Sequence, residues 1–346
     1  MSATERIRVG FVGVGTRVRT HYMPIIGKLV GFLNAGFHAR STHDDVANDN
    51  ACVQHNTLQD LVASSDIIFI SVPATSTADV LRDVITMCQS TGTLIVIETP
   101  VTLDVLPIVA AHPATKIVVA ENWPLRTWNV LAADVIRSGV IGHVNVIVND
   151  FRGYEYHGFA MMRALASADG RDTIPRRVCG MSWSTGPVAC QTGILTENWD
   201  VGCIELGDGV HLLNNFNSVH SRSKARGPRS MRIMCEHGAM WGDDMNDTGI
   251  STEHNGVVDH HIPLIVRDQL TNNLASVTLN VGHTKFEVAC DPRFDDEQMS
   301  IVRLFTRLRD VVHGSDVGYT PNDAWCDIRC VDALRYSSRM GFHVVF

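Results

Sequence analysis

The stretch Ile7–Val12 (IRVGFV), running straight into Gly13-Val14-Gly15, limits what this chain can fold into more than any other feature. A nearly continuous apolar run reads as a strand buried on both faces, and glycines directly after it permit a tight turn into a helix. That helix is expected over residues 17–29. Four further short apolar runs follow, at residues 32–39, 66–72, 93–98 and 116–120. Polar or amphipathic stretches such as residues 77–89 separate them, with apolar residues at helical spacing. Strands alternating with helices imply right-handed crossovers and a mostly parallel sheet covered on both faces.

The pattern changes after Glu121. A helix is expected over residues 126–138, then a more alternating strand over 143–151, with further strands at 230–237, 257–266 and 273–282. Their period near two fits an antiparallel sheet with one wetter face. Helices are expected near 157–166, 208–219, 295–313 and 321–339. A length of 346 residues suits two domains, at the usual ~100–200 residues each. The expectation is an α/β protein: a Rossmann domain (a doubly wound parallel sheet) over residues 1–122, then an α/β domain with a large, mostly antiparallel open sheet over residues 123–346.

Composition narrows the partners. There are 29 basic and 37 acidic residues, for a net charge of −8, and no dense basic stripe, which argues against nucleic acid. The densest basic stretch, residues 222–232, is short, broken by Gly and Pro, and reads as an exposed loop entering a strand. The nine cysteines are scattered and odd in number, as in a protein of a reducing compartment. Cys326 and Cys330 lie four apart on an expected helix, but no second pair completes a zinc set, so no metal is expected. The N-terminus enters a strand without a signal-like segment, and no apolar run of membrane length occurs. A cytoplasmic protein without membrane association is expected.

The glycine turn points to a cofactor. Gly13 permits the turn and Gly15 lets backbone approach a pyrophosphate set against the amides of the next helix, with Thr16 and Arg17 beside it. Val18 stands where the fingerprint has its third glycine, a position that eases packing and does not touch phosphate. At the end of the second strand a carboxylate normally accepts the ribose hydroxyls of NAD. This chain has Ala39 there, followed by Arg40, Ser41 and Thr42, groups suited to a 2′-phosphate, so NADP is expected over NAD. In the alternative, Arg40 is plain surface and Asp44 or Asp45 serves the ribose of NAD.

Several motifs in order resemble the Gfo/Idh/MocA oxidoreductases, the glucose-fructose oxidoreductase and inositol dehydrogenase family. They are Gly13-Val-Gly15, Ser71-Val-Pro73-Ala-Thr75, Glu98-Thr-Pro100, Glu121-Asn122, Gly139-Val-Ile-Gly142 and Gly209-Val-His211-Leu-Leu-Asn214. The resemblance spans residues 7 to about 220. It implies a Rossmann domain followed by a domain whose open sheet often mediates dimers or tetramers, and a small-molecule substrate. It places Val72, Pro73, Thr75, Glu98 and Thr99 near the nicotinamide and ribose, and Glu121 and Asn122 at the border of the cleft. Two departures bear on mechanism. The family commonly has lysine between Glu and Pro, where this chain has Thr99, and an aspartate four residues before the cleft histidine, where it has Gly207. A threonine hydroxyl is a poor proton donor to a developing alkoxide.

His211 is then the first candidate acid/base, since imidazole exchanges protons near neutrality. Tyr154, Tyr156 and His157 form a second group, able to shape the pocket or replace the missing donor. Against these stand plainer roles: a packed histidine and a sheet-edge aromatic cluster. His260 and His261, adjacent on a strand, point to opposite faces and are assigned to its surface. Trp123 and Trp128 either wall the cleft or pack against the helix at 126–138. The expected activity is hydride transfer between NADP(H) and a carbonyl, imine or hydroxyl carbon; the lost lysine leans towards imine, enone or specialised-metabolite reduction. A non-catalytic dinucleotide-binding regulator of the same fold is the alternative.

Overall fold

In the computed structural model the described residues are 6–49, 52–89, 91–190, 193–219, 229–242, 248–254, 257–315 and 318–346. Most of the basic stretch at 222–232 lies outside them. The chain divides into two compact units, Met1–Asn122 with Ser300–Trp325, and Trp123–Met299 with Cys326–Phe346.

Unit 1 is built on five parallel strands, β1 (Ile7–Val12), β2 (Phe32–His38), β3 (Ile67–Ile70), β4 (Leu94–Ile97) and β5 (Ile117–Val119), in the order β2-β1-β3-β4-β5. Every residue of β3, β4 and β5 is buried, which is why these runs lack polar alternation. Strand order reverses between β1 and β3, and at such a switch point the carboxyl ends of neighbouring strands open a crevice. The helix expected over residues 17–29 is shorter: a π-helical turn, Val18–Tyr22, runs into α1, Met23–Ile26. Pro24 explains the widened turn, since it donates no N–H and its ring crowds the carbonyl four residues back. Three short helices that the periodicity did not show, α2 (Asp44–Asp49), α3 (Leu58–Ala63) and α5 (Val105–Ala111), accompany the expected α4 (Ala74–Cys88).

Residues 300–325, expected in the second domain, pack with unit 1 instead. They include most of α8 (Asp296–Val312) and the start of α9 (Pro321–Met340). The physical reason is aromatic. Phe305 sets its ring 6.1 Å from Tyr22, 5.5 Å from Phe32 and 5.6 Å from Phe69. The Val119 N–H also donates to the Tyr319 carbonyl at 3.1 Å. The apolar face of α8 is thus completed by a sheet far from it in sequence.

Unit 2 carries a nine-stranded sheet. Its strands are β6 (Val144–Asp150), β7 (Pro175–Cys190), β8 (Gly193–Leu206), β9 (His211–Asn217), β10 (Ser230–Cys235), β11 (Gly238–Gly242), β12 (Thr248–His254), β13 (Val257–His261) and β17 (Val344–Val345). The order is β13-β12-β11-β10-β6-β9-β8-β7-β17, with β6 and β9 parallel and the other pairs antiparallel. Register lines up Val178, Ile204, Leu212, Ile147, Ile233, Met240 and Ile250 in one row across seven strands. None is more than 1% exposed. Against this face pack α6 (Thr127–Arg137) and α7 (Tyr156–Ala168), supplying Leu131, Val135, Met161 and Leu165 to the same core. Residues of α9 beyond Cys326 cover its far end, where Leu334 fills the space that side chains at Gly180 and Gly202 would need. A three-stranded antiparallel sheet, β14 (Leu264–Arg267), β15 (Leu274–Val281) and β16 (Thr284–Ala289), completes the unit. The strand expected over residues 257–266 is two strands, broken at Ile262-Pro263, because proline cannot donate to a ladder.

One expectation fails outright: residues 208–219 are not a helix. Gly209, at φ +76°, closes a tight turn in which the Leu206 N–H donates to the Val210 carbonyl, and β9 follows. Along β9, Leu212, Asn214 and Phe216 are buried while His211 and Leu213 are exposed, a period of two that the helical reading overlooked. Among the described residues no helix is long and apolar enough to cross a membrane.

Candidate functional site

A cavity of about 750 Å³ opens in unit 1 at the carboxyl ends of β1, β2 and β3. Gly13, Gly15, Thr16, Arg17, Arg40, Ser41, Val72 and Pro73 all line it. Thr42, Thr75, Glu98, Thr99 and Asn122, also expected to touch a cofactor, are not in its lining. The two glycines differ in kind. Gly13 has φ +88°, and a Cβ there would collide with the Ser71 carbonyl oxygen at the end of β3. The chain itself therefore demands glycine at that position. Around Gly15 no described residue beyond its immediate chain neighbours comes within 4 Å of where a Cβ would stand, so packing within the chain does not call for glycine there. Val18 is fully buried in the core, the packing role open to the third residue of the fingerprint.

The far end of the cavity is made by the loop after β2. His38 ends the strand, and Ala39, Arg40, Ser41 and His43 follow on the wall. Asp44 and Asp45, the carboxylates weighed for ribose binding, begin α2 and are not in the lining. The loop is held by Gln54, whose Oε1 accepts from the His43 N–H and whose Nε2 donates to the Ser41 carbonyl, both at 2.8 Å. His43, Ser76, Asp79 and Asp83 line the cavity and Gln54 holds its loop, and none of these was legible in the sequence, since only the approach of loop and helix brings them there.

Behind the cavity lies a polar network. The Tyr22 hydroxyl donates a short bond to the Glu98 carboxylate, which also accepts from the Thr99 N–H at 3.0 Å and from Thr99 Oγ1 at 3.1 Å. Arg17 lies over the Tyr22 ring and donates to Asn122 Oδ1 at 3.0 Å, and Asn122 Nδ2 donates to Ser300 Oγ at 2.6 Å. Burial pushes the Glu98 carboxyl above its usual range, over the opposing pull of Tyr22, Arg17 and Thr99. Burial, and then the neighbouring carboxylate charge, push the Tyr22 hydroxyl well above its own. Glu98 and Thr99 therefore stand outside the lining, with Glu98 feeling the charge of Arg17, which does line the cavity. The Thr99-Pro100 peptide bond is cis.

In unit 2 the sheet separates the three candidate catalytic residues. His211 stands on the exposed face of β9, its Nδ1 3.8 Å from Cys203 Sγ. Tyr154 and His157 belong to the loop and helix on the covered side. The loop is conformationally unusual: Phe151 and Glu155, neither of them glycine, have φ of +63° and +30°. Such left-handed residues persist only where surrounding contacts enforce them, and they gather at functional positions. The contacts here are a buried amide pair, Asn149 Nδ2 donating to Asn214 Oδ1 at 2.8 Å and to the Arg152 carbonyl at 2.9 Å. Glu155 accepts from Arg335 at 3.1 Å. At the start of α7, His157 stacks on Trp123, with ring centroids 5.4 Å apart, and Arg126 lies 4.1 Å over the same indole. Tyr154 meets Phe216 edge-on at 5.5 Å. Trp128, on α6 itself, is buried in the core, while Trp123 is only partly covered. His260 and His261 bond to Ser251 and Thr252 on the neighbouring strand, from opposite faces.

No protein-family model matches the sequence, and no curated protein matches it. Solved structures do. GenD2 from gentamicin A biosynthesis, solved in complex with NAD, superposes with a TM-score of 0.67 at 15% identity over 100% of this chain and 98% of that one. An oxidoreductase from Agrobacterium radiobacter, in complex with NAD+, L-tartaric acid and magnesium, gives 0.70 at 10% identity over 98% of both chains. A super-repressor mutant of Gal80p from Saccharomyces cerevisiae gives 0.71 at 14% identity, over 98% of this chain and 97% of that one. With a Rossmann-like parallel sheet followed by a mostly antiparallel one, and this superposition along nearly its whole length, the chain has the fold of these solved structures.

Proposed function

We propose that the chain is an oxidoreductase that holds NADP(H) on unit 1 and passes hydride to or from a small organic substrate bound by unit 2. The observation that carries this reading is the crevice at the β1/β3 switch point, where Gly15 leaves space that no other described residue fills. Gly13, Gly15 and Thr16 would hold the pyrophosphate with backbone amides, Val72 and Pro73 would bound the nicotinamide side, and Arg40 with Ser41 would receive the adenosine end. When bound, the nicotinamide supplies or takes up the hydride. Arg40 on the wall, with no carboxylate at the end of β2, favours a 2′-phosphate and hence NADP. The similar structures solved with NAD make the unphosphorylated cofactor the comparison to run.

For proton transfer His157 is the better candidate of the two histidines. It lies at the start of α7 beside the left-handed loop, whereas His211 is on the opposite face of the sheet. Tyr154, partly exposed beside it, would shape the substrate site. A second reading, a dinucleotide-binding regulator, is supported by Thr99 in the lysine position and by the likeness to Gal80p.

One experiment separates them. The protein is titrated with NADPH and NADH by fluorescence, then ketones, imines and sugars are screened for cofactor oxidation at 340 nm. Oxidation that falls at least tenfold in His157→Ala supports the enzyme. Tight binding without turnover on any substrate favours the regulator, and no affinity for either dinucleotide removes both readings.

A further inference from the structure

A chain of hydrogen bonds behind the adenosine end of the cavity fixes which way one hydroxyl points. Arg19, on the π-helical turn, donates from Nε to the Val14 carbonyl at 2.7 Å, from Nη1 to Asp45 at 3.2 Å and from Nη2 to His43 Nδ1 at 3.0 Å. A guanidinium has only donors, so Nδ1 of His43 must accept. The proton of the neutral imidazole then resides on Nε2, which lies 3.0 Å from Ser41 Oγ. Nε2 donates, Ser41 Oγ accepts, and the Ser41 hydroxyl proton is left to point elsewhere. Ser41 is exposed and lines the cavity next to Arg40.

We infer that His43, oriented by Arg19, is a positioning residue that sets Ser41 as an outward hydrogen-bond donor for a phosphate monoester at the adenosine end of the site. This rests on the dinucleotide reading above and adds to it the specificity element. A hydroxyl held as a donor suits an oxygen with only lone pairs to offer. A ribose hydroxyl, which can donate or accept, gains less from it. The arrangement is buttressed on both sides. Gln54 clamps the backbone at Ser41 and His43, and the Arg19–Val14 bond ties the same relay to the glycine turn. Asp79 faces the cavity from α4, where its carboxylate is paired with Arg82 at 2.6 Å.

The test is the ratio of NADPH to NADH affinity, read by fluorescence titration of the full chain without any substrate. His43→Leu should weaken NADPH about tenfold, roughly one charge-assisted hydrogen bond, while NADH changes less than twofold. Ser41→Ala, on an exposed side chain that folding does not need, should do the same. His43→Gln should restore the ratio, because its amide oxygen can accept from Arg19 while its NH2 donates to Ser41. Equal weakening of both cofactors in His43→Leu, an unchanged ratio, or failure of the glutamine to rescue overturns the relay. In those cases dinucleotide binding by the unaltered protein would still stand.

Discussion

Two glycines two positions apart invite the same substitution and should answer differently. In Gly13→Ala the left-handed backbone and the collision with the Ser71 carbonyl act on the folded chain itself. A loss of ~1–3 kcal/mol of stability is expected, typical of a strained backbone position, together with loss of NADPH binding. In Gly15→Ala the new methyl meets no described residue beyond its immediate chain neighbours. Chemical denaturation should move within ~0.5 kcal/mol, while NADPH affinity falls at least tenfold. Equal destabilisation of the two variants would mean that the space beside Gly15 is not reserved for a ligand. The sequence names both residues, but only the approach of β3 to the turn shows that one is structural and the other is not.

At the scale of elements, Asp169 at the end of α7 shows how a helix is pinned to its sheet. Its carboxylate accepts from the Val144 N–H at 2.9 Å, from Arg171 at 3.0 Å and from His143 Nδ1 at 3.0 Å. Burial alone would raise its pKa, but these donors together outweigh burial and hold it below the usual range. A carboxyl whose folded pKa is lowered stabilises the fold above its unfolded value of ~3.9. That stability disappears as pH falls through the folded value. Asp169→Asn should therefore lower the melting temperature at pH 7, and the gap to the unaltered protein should close as pH drops below about 4. A constant gap across that range would show that geometry and not charge holds the junction. The same element-level contacts explain His211. Leu212 belongs to the buried row across seven strands, so the histidine before it must face the other way. That row is assembled from strands distant in sequence, and no local window contains it.

At the scale of the whole molecule, unit 1 is completed by residues some 180 positions after Asn122. Phe305→Ala removes a fully buried ring packed on Tyr22, Phe32 and Phe69, at an expected cost of ~3–5 kcal/mol. A fragment of residues 1–122 should accordingly bind NADPH far more weakly than the full chain; equal affinity would mean that α8 contributes nothing to the site. Among the described residues, the face of the large sheet opposite the buried row exposes Met181, Trp183, Leu213, Met234 and Val258, and we propose that a homodimer or homotetramer buries this apolar surface. Leu213→Glu should then lower the sedimenting mass with little change in melting temperature, and a monomeric unaltered protein would remove the idea.

What the sequence determined by itself is the part of the molecule whose signals are local. Each buried parallel strand is a run of apolar residues, each crossover helix has its own period, and the turn at Gly13 and Gly15 sits where the first strand ends. These forces act between neighbours along the chain, so a reader of the chain can see them. Tertiary structure alone decided the rest: that Ser300–Trp325 closes the first unit, that His211 and His157 lie on opposite sides of a sheet, and that Arg19, His43 and Gln54 converge behind Ser41. Those outcomes depend on burial and on hydrogen bonds between residues that only folding brings together, and no spacing along the chain encodes them.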